Sequence, residues 1–185
     1  LRYNRSMPIA TDTVTTPDGD CRITVATPDG DGPWPAVVMY PDAGGPRPTF
    51  DAMAARLAAL GYVVLVPDIY YRHAGWAPFD LPTAFTDPAE RDRLFAMMAE
   101  VTPERMTTDA AAFFDYLQQR PDVAGTRFGT TGYCMGGRTS FTVAGRLPER
   151  VAVAMSFHGG GLVTEGPDSP HLAAPRIPAV VYVAA

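Results

Sequence analysis

The feature that most constrains the fold of this chain is a series of short apolar runs that alternate with helix-like segments. Residues 36–40 and 62–67 are continuous apolar runs with the length of single strands, a pattern typical of strands that are buried on both faces. Between them, apolar side chains recur on one face of a predicted helix, at Phe50, Met53, Ala54, Leu57 and Leu60. Gly61 follows, where a helix C-cap is expected. A strand, a helix and a strand with short links indicate a parallel, right-handed crossover.

The same alternation continues along the chain. Further strands are predicted at residues 21–26, 127–131, 151–157 and 179–183. Asp87 and Thr102 each precede a proline and start a predicted helix, and another helix is predicted at residues 136–145. We therefore predict an α/β fold, a single domain over residues 1–185 with a mostly parallel sheet and helices on both faces. Residues 1–19 are predicted to form a loosely ordered arm.

The composition and charge argue against several kinds of site. No lysine is present and the 15 basic residues are all arginine, so a P-loop lysine or a Schiff-base lysine is excluded from this stretch. The net charge of −5 argues against a nucleic-acid partner. The histidines at His73, His158 and His171 lack the spacing of metal ligands. We therefore expect neither a metal nor a cofactor.

Two further observations concern the cellular compartment. Two cysteines in a domain of this size, Cys21 and Cys134, do not make a disulfide framework. No stretch of the sequence resembles a signal peptide or an 18-residue apolar span. We therefore expect a cytoplasmic protein that has no membrane partner.

The most informative motif is G-Y-C-M-G at residues 132–136, which lies between a predicted strand and a predicted helix. In a nucleophile elbow the reactive residue occupies a tight, strained turn. Glycine is needed two residues before and two residues after it, because those residues press against each other. The start of the following helix would favour a thiolate at Cys134, and the backbone N–H of Met135 would point to a developing oxyanion. The alternative is a chance match.

With a cysteine in the elbow, the chain resembles the dienelactone hydrolase family, which has the α/β-hydrolase fold. Residues 64–72 are similar to that family's strand ending in Pro-Asp-Leu-Tyr and an arginine. Residues 156–159, Ser-Phe-His-Gly, are similar to its next strand end, and residues 41–45, Pro-Asp-Ala-Gly-Gly, match the loop that carries a glutamate in the type enzyme. The resemblance runs from about residue 35 to the end of the chain.

This resemblance implies hydrolysis of an ester or lactone through an acyl-thioester on Cys134. It implies that the backbone N–H groups of Met135 and Ala43 hold the oxyanion. Asp42 then takes the place of the family's gating glutamate, although it is one methylene shorter. The alternative for Asp42 is an aspartate turn or a helix cap before the two glycines.

The resemblance also implies a residue that binds a carboxylate on the substrate. Arg72 would take this role, because a guanidinium can bind a carboxylate with two parallel hydrogen bonds. The alternative is a salt bridge or a solvated loop residue. His158 ends a predicted strand beside the elbow, where it is expected to contact the substrate or to have a structural role.

A complete triad is not evident in the sequence. In this fold the acid and the histidine follow the nucleophile in that order, and the family carries both after the strand that residues 179–183 resemble. We therefore expect this chain to be part of a longer protein that supplies both residues beyond Ala185. One internal solution has the right order, with Asp168 and His171 after Cys134.

Three functions follow from these observations as alternatives. The first is a thiol-dependent hydrolase of small-molecule esters or lactones, with or without a carboxylate. The second is a non-catalytic member of the fold that binds a small ligand. The third is a thiol redox protein that uses Cys134, for which no resolving cysteine is evident. The sequence does not identify the natural substrate or the oligomeric state.

Overall fold

The computed structural model describes residues 7–185, in which seven strands form one sheet with helices packed against it. The strands are β1 (Ile9–Thr16), β2 (Gly19–Ala26), β3 (Ala36–Tyr40), β4 (Val63–Pro67), β5 (Phe128–Tyr133), β6 (Val151–Phe157) and β7 (Val180–Ala184). The helices are α1 (Pro48–Ala58), α2 (Leu81–Thr86), α3 (Pro88–Ala99), α4 (Pro103–Gln119) and α5 (Met135–Arg146), and a 3-10 helix covers Pro170–Arg176. The spatial order of the strands is β1-β2-β4-β3-β5-β6-β7.

The sheet is mostly parallel, as predicted from the alternation of strands and helices. Strands β4, β3, β5, β6 and β7 pair in parallel, each with the next. Strand β2 pairs in antiparallel fashion with β1 on one side and with β4 on the other. Every residue of β3 and β4 is buried, which explains why these two strands have continuous apolar sequences.

The amino-terminal part of the chain differs from the prediction. Residues 9–16 are not a loose arm, because they pair with β2 from Ile9 opposite Ala26 to Thr16 opposite Gly19. Most side chains of β1 are exposed, so the strand has little apolar pattern by which it could be recognised. Backbone hydrogen bonds of the hairpin hold it in place. Residues 1–6 of the predicted arm lie outside the described residues.

Helices cover both faces of the sheet, which confirms the predicted architecture. Adjacent residues of a strand point to opposite faces. On one face, Phe50 of α1 packs in the same buried cluster as Met39 of β3. On the other face, Phe114 of α4 and Val143 of α5 share a buried cluster with Val38.

The predicted helix starts are confirmed at two positions. The side chain of Asp87 accepts hydrogen bonds from two backbone N–H groups at the start of α3, and that of Thr102 accepts one at the start of α4. The prediction that Leu60 lies on the buried face of α1 is wrong, since the helix ends at Ala58 and Leu60 is 61% exposed. Among the described helices, none is long and apolar enough to cross a membrane.

Candidate active site

The candidate nucleophile lies at the junction of β5 and α5. Cys134 is the single residue between Tyr133, where β5 ends, and Met135, where α5 begins. Its φ of 54° and ψ of −117° lie outside the conformations that residues with a side chain commonly adopt. A strained, partly exposed cysteine between a strand and a helix has the backbone geometry of a nucleophile elbow.

Packing explains why glycine is needed on both sides of this turn. A Cβ atom on Gly132 would overlap the carbonyl group of Gly136. A Cβ atom on Gly136 would overlap the carbonyl groups of Tyr40 and Pro41. The requirement for glycine at both positions is therefore confirmed, and the second contact brings the end of β3 against the start of α5.

The backbone of Cys134 is held on both sides of the turn. Its N–H donates to the carbonyl of Phe157 at the end of β6, with an N···O distance of 3.0 Å. Its carbonyl accepts the N–H groups of Gly137 at 3.0 Å and Arg138 at 3.2 Å. Met135 is the first residue of α5, so its N–H has no carbonyl one turn earlier in the helix. That N–H is free to serve as the predicted oxyanion donor.

The loop after β3 carries the second predicted oxyanion donor. Ala43 is buried, and its carbonyl accepts a hydrogen bond from the Tyr70 hydroxyl at 2.8 Å. Burial raises the pKa of Tyr70, and negative charge on Asp42 and Cys134 raises it further. The hydroxyl therefore stays protonated and continues to hold the loop. Ala43 and Met135 belong to the same apolar cluster, so the two predicted donor residues come from neighbouring parts of the fold.

Tyr70 forms a cluster of aromatic side chains with Trp76 and Phe79, which was not predicted from the sequence. Its ring lies edge-on to Trp76 and Phe79, with centroid distances of 5.2 and 6.1 Å. The indole N–H of Trp76 in turn donates to the carboxylate of Asp68 at 3.0 Å. The aromatic residues and prolines of residues 68–85 were the available signal, but composition does not show which rings meet.

Asp42, the predicted gating acid, pairs with Arg47 and not with Cys134. Both carboxylate oxygens of Asp42 bind the guanidinium of Arg47 at 2.7 Å, and one also accepts the N–H of Gly44 at 2.9 Å. The contact with Gly44 is an aspartate turn, which is the alternative given by the sequence. Within residues 7–185, no hydrogen bond joins Asp42 to Cys134. The structure therefore pairs this carboxylate with Arg47 and not with the sulfur.

Arg72 forms a salt bridge, which is the alternative to its predicted role as a substrate ligand. Its two terminal nitrogens bind the carboxylate of Asp109 at 2.9 and 2.7 Å, and Nε binds Asp18 at 2.8 Å. Burial disfavours the charge, but these bonds raise the pKa of Arg72 above its ordinary value. The side chain is only 12% exposed, so few of its donors are left for a substrate carboxylate.

His158 directly follows the carboxyl end of β6, and its side chain makes few contacts. Its φ of 40° turns the chain away at the end of β6, and its N–H donates to the carbonyl of Ala184 at 2.7 Å. The residue is exposed, and its ring centroid lies 6.4 Å from that of Tyr133. A contact with substrate at His158 stays a prediction.

The internal triad alternative is not assembled in this structure. Asp168 binds Arg146 at 3.2 Å, and Nδ1 of His171 lies 2.6 Å from the hydroxyl oxygen of Ser169. Asp168 and His171 therefore do not form the pair that would orient a base toward Cys134. In the part of the chain that the structure describes, no three His, Cys, Asp or Glu side chains are grouped as metal ligands.

Known proteins with similar sequences point to one family. The carboxymethylenebutenolidase of Pseudomonas sp. (strain P51) is 31% identical over 113 residues, which cover 61% of this chain and 45% of that protein. Carboxymethylenebutenolidase 1 of Cupriavidus pinatubonensis (strain JMP 134 / LMG 1197) is 27% identical over 128 residues, which cover 69% and 52%. The chain thus spans about half the length of these curated relatives.

The fold and the family model lead to the same assignment. The solved structure of m3DLH superposes with a TM-score of 0.75 at 27% identity, covering 97% of this chain and 68% of that one. The α/β-hydrolase fold predicted from the sequence is therefore confirmed. The model of the dienelactone hydrolase family matches residues 21–185, which include all of β2 except its first two residues, the elbow and every later described element. The chain belongs to the dienelactone hydrolase family.

Proposed function

We propose that this protein hydrolyses ester or lactone bonds of small molecules with Cys134 as the nucleophile. The observation that carries the proposal is the strained backbone of Cys134 between two obligatory glycines. Such strain persists only where the surrounding structure enforces it, and it is often found at catalytic residues. Family membership supports the same reaction class.

The proposed reaction has two steps. The thiolate of Cys134 attacks the carbonyl carbon of the substrate, and the backbone N–H groups of Met135 and Ala43 stabilise the negative oxygen that forms. The C–O bond to the alcohol breaks, the alcohol leaves with a proton, and an acyl-thioester remains on the sulfur. Water then attacks the thioester, which releases the carboxylic acid and restores the thiol.

The proton of the Cys134 thiol needs an acceptor. Within residues 7–185, the side chains of His73, His158 and His171 form no hydrogen bond to Cys134. The described contacts therefore support Cys134 as the nucleophile and Met135 and Ala43 as the oxyanion donors, and none of them assigns a general base.

The proposal is tested by Cys134→Ala in the intact protein. With p-nitrophenyl butyrate as substrate, we expect kcat/KM to fall by at least about a thousandfold, because the covalent step is removed. Mass spectrometry of the wild-type protein during turnover should detect a butyryl group on Cys134. The matched control is Cys21→Ala, because Cys21 is fully buried in β2 and its pKa is raised by burial, which keeps it inert.

Three results would contradict the proposal. Hydrolysis that continues unchanged in Cys134→Ala would exclude this residue as the nucleophile. Equal losses in the Cys134 and Cys21 variants would indicate a general effect of removing a thiol. Binding of esters by the wild-type protein without turnover would favour a non-catalytic member of the family.

A further inference from the structure

Ala43 is a buried residue whose backbone N–H has no partner in the loop around it. The residue is 6% exposed, and within residues 7–185 its N–H donates to no acceptor. Such groups are rare in the interior of proteins, because a buried N–H without a hydrogen bond is costly in free energy. The carbonyl of the same peptide group, on Asp42, accepts the N–H of Gly45 at 3.0 Å. The peptide group is therefore held at its carbonyl, and its N–H is left available for a ligand.

The next peptide group, between Ala43 and Gly44, is bound at both ends. Its carbonyl accepts the hydroxyl of Tyr70 at 2.8 Å, and its N–H donates to Oδ1 of Asp42 at 2.9 Å. The carbonyl and the N–H of a planar trans peptide point in opposite directions, so two such bonds fix the orientation of the plane. They restrict the torsion angles of Ala43 and thereby the direction of its own N–H.

The two side chains that bind this peptide group are themselves anchored. Arg47 binds both carboxylate oxygens of Asp42 at 2.7 Å, and it also donates to the carbonyl of Gly45 at 3.0 Å. Tyr70 is 1% exposed and lies edge-on to Trp76. The ring of Trp76 closes over the loop, since a Cβ on Gly45 would lie 2.6 Å from it. The anchors come from two parts of the chain, one directly before α1 and one after β4.

We propose that Tyr70 and Asp42 are positioning residues that aim the N–H of Ala43 at the oxyanion. The inference rests on the proposed function of Cys134, and it gives Asp42 a role through Gly44 in place of the predicted gating of the thiol. A donor that is oriented before the reaction stabilises the developing charge without any reorganisation of the protein. Attack by the thiolate and attack by water on the thioester both produce an oxyanion, so loss of the positioning should slow both steps.

The first test is hydrolysis of p-nitrophenyl butyrate by Tyr70→Phe in the intact protein. This variant keeps the ring and removes the hydrogen bond to Ala43. We expect kcat to fall about 10- to 100-fold, somewhat less than for loss of a whole oxyanion donor, and KM to change by less than about twofold. The control is Tyr62→Phe, because the Tyr62 hydroxyl has no hydrogen bond among residues 7–185. Unchanged kcat in Tyr70→Phe, or equal losses in both variants, would overturn the role of Tyr70.

Alkylation of Cys134 by iodoacetamide separates positioning of the oxyanion donor from an effect on the thiol. The sulfur displaces iodide from a saturated carbon, so no oxyanion forms. Asp42→Ala should lower kcat for p-nitrophenyl butyrate about 10- to 100-fold and leave the alkylation rate at the wild-type value. Asp42→Asn keeps an oxygen that can accept the N–H of Gly44, and it should retain more activity than Asp42→Ala.

Asp51→Ala is the matched control for the loss of negative charge. The carboxylate of Asp51 lies in the first turn of α1 and has no partner in the described part of the chain. We expect this variant to hydrolyse the ester and to be alkylated as the wild-type protein is. Alkylation that falls in step with hydrolysis in the Asp42 variants would show that Asp42 acts on the thiol, and it would overturn the positioning role.

Binding of propyl trifluoromethyl ketone separates this inference from the proposed function. The sulfur of Cys134 adds to the carbonyl carbon, the thiol proton goes to solvent, and the carbonyl oxygen becomes an oxyanion. Fluorine NMR should show that this adduct is at least about tenfold weaker in Tyr70→Phe than in the wild-type protein. If esters are not hydrolysed but this difference is present, the proposed function fails and the positioning role stands. If Cys134 hydrolyses the ester but the adduct is equally stable in both proteins, only the positioning role fails.

Discussion

The backbone strain at Cys134 is maintained by contacts that neighbouring glycines allow. A residue with a side chain in such a conformation is destabilised by about 1–3 kcal/mol. The close approach of Gly132 to Gly136, and of Gly136 to the end of β3, keeps the turn from relaxing. Hydrogen bonds from Cys134 to Phe157 and from Arg138 to Cys134 anchor it further, so the position of the sulfur is set by the scaffold.

This account predicts that Gly132→Ala destabilises the protein strongly. The added methyl group would overlap backbone atoms of Gly136, which cannot move as the end of a side chain could. We expect a loss of about 3 kcal/mol or more in the free energy of unfolding, measured by urea denaturation. The control is Gly160→Ala, where an added Cβ has no neighbour within 4 Å. A Gly132 variant as stable as the Gly160 variant would contradict the packing explanation.

Helix α3, which packs near the site, begins at a side-chain cap that belongs to the adjacent sequence. Asp87 accepts the N–H groups of Ala89 at 2.8 Å and Glu90 at 3.1 Å at the start of α3. Through Leu94 and Met97, α3 packs in the apolar cluster that contains Met135. The cap therefore helps to hold a helix that covers the residues around the nucleophile.

Removal of this cap should weaken α3 by a moderate amount. Asp87→Ala leaves two N–H groups of the first turn without their partner, and we expect it to reduce the free energy of unfolding by about 1 kcal/mol. Asp92→Ala is the control, because this side chain lies on the same helix, is 79% exposed and makes only a weak ion pair. The free energies of unfolding of both variants are measured by thermal or urea denaturation. An equal loss in the two variants would show that charge, and not capping, is responsible.

At the scale of the whole molecule, one ion-pair network joins parts of the chain that are distant in sequence. Arg72 follows β4, Asp18 lies in the turn between β1 and β2, and Asp109 lies in α4. The hydroxyl of Tyr71 adds to this network, because it donates to Asp109 at 2.9 Å and is hydrogen-bonded to Thr16. The β1–β2 hairpin, the loop after β4 and α4 are therefore held together by charge and hydrogen bonds.

Arg72→Met should reduce stability without changing the relative rates at which charged and neutral esters are hydrolysed. Loss of the guanidinium leaves the largely buried carboxylate of Asp109 without its bidentate partner, and we expect a loss of about 3 kcal/mol. The ratio of kcat/KM for p-nitrophenyl hydrogen succinate to that for p-nitrophenyl butyrate should remain that of the wild-type protein, because the guanidinium is already engaged by Asp109 and Asp18. Arg91→Met is the control for stability, since Arg91 is 45% exposed and has only a weak pair. A stable Arg72 variant in which this ratio falls would show that Arg72 binds the substrate carboxylate.

Much of the fold could be predicted from the sequence, because its signals are local. The buried strands β3 and β4 were evident from continuous apolar runs, and Asp87 and Thr102 marked the starts of two helices. Strand β1 was missed because its side chains are mostly polar and exposed. Its pairing depends on backbone hydrogen bonds, which leave little trace in the pattern of side chains.

For the candidate site, the sequence by itself determined the elbow, since a turn with glycine on both sides of Cys134 is a short-range steric requirement. Only the tertiary structure decided which arginines are engaged. Arg72 meets Asp109 from a position 37 residues away, whereas Arg138 meets no described carboxylate. A long cationic side chain pairs with whichever carboxylate the fold brings near it, and sequence spacing does not contain that information.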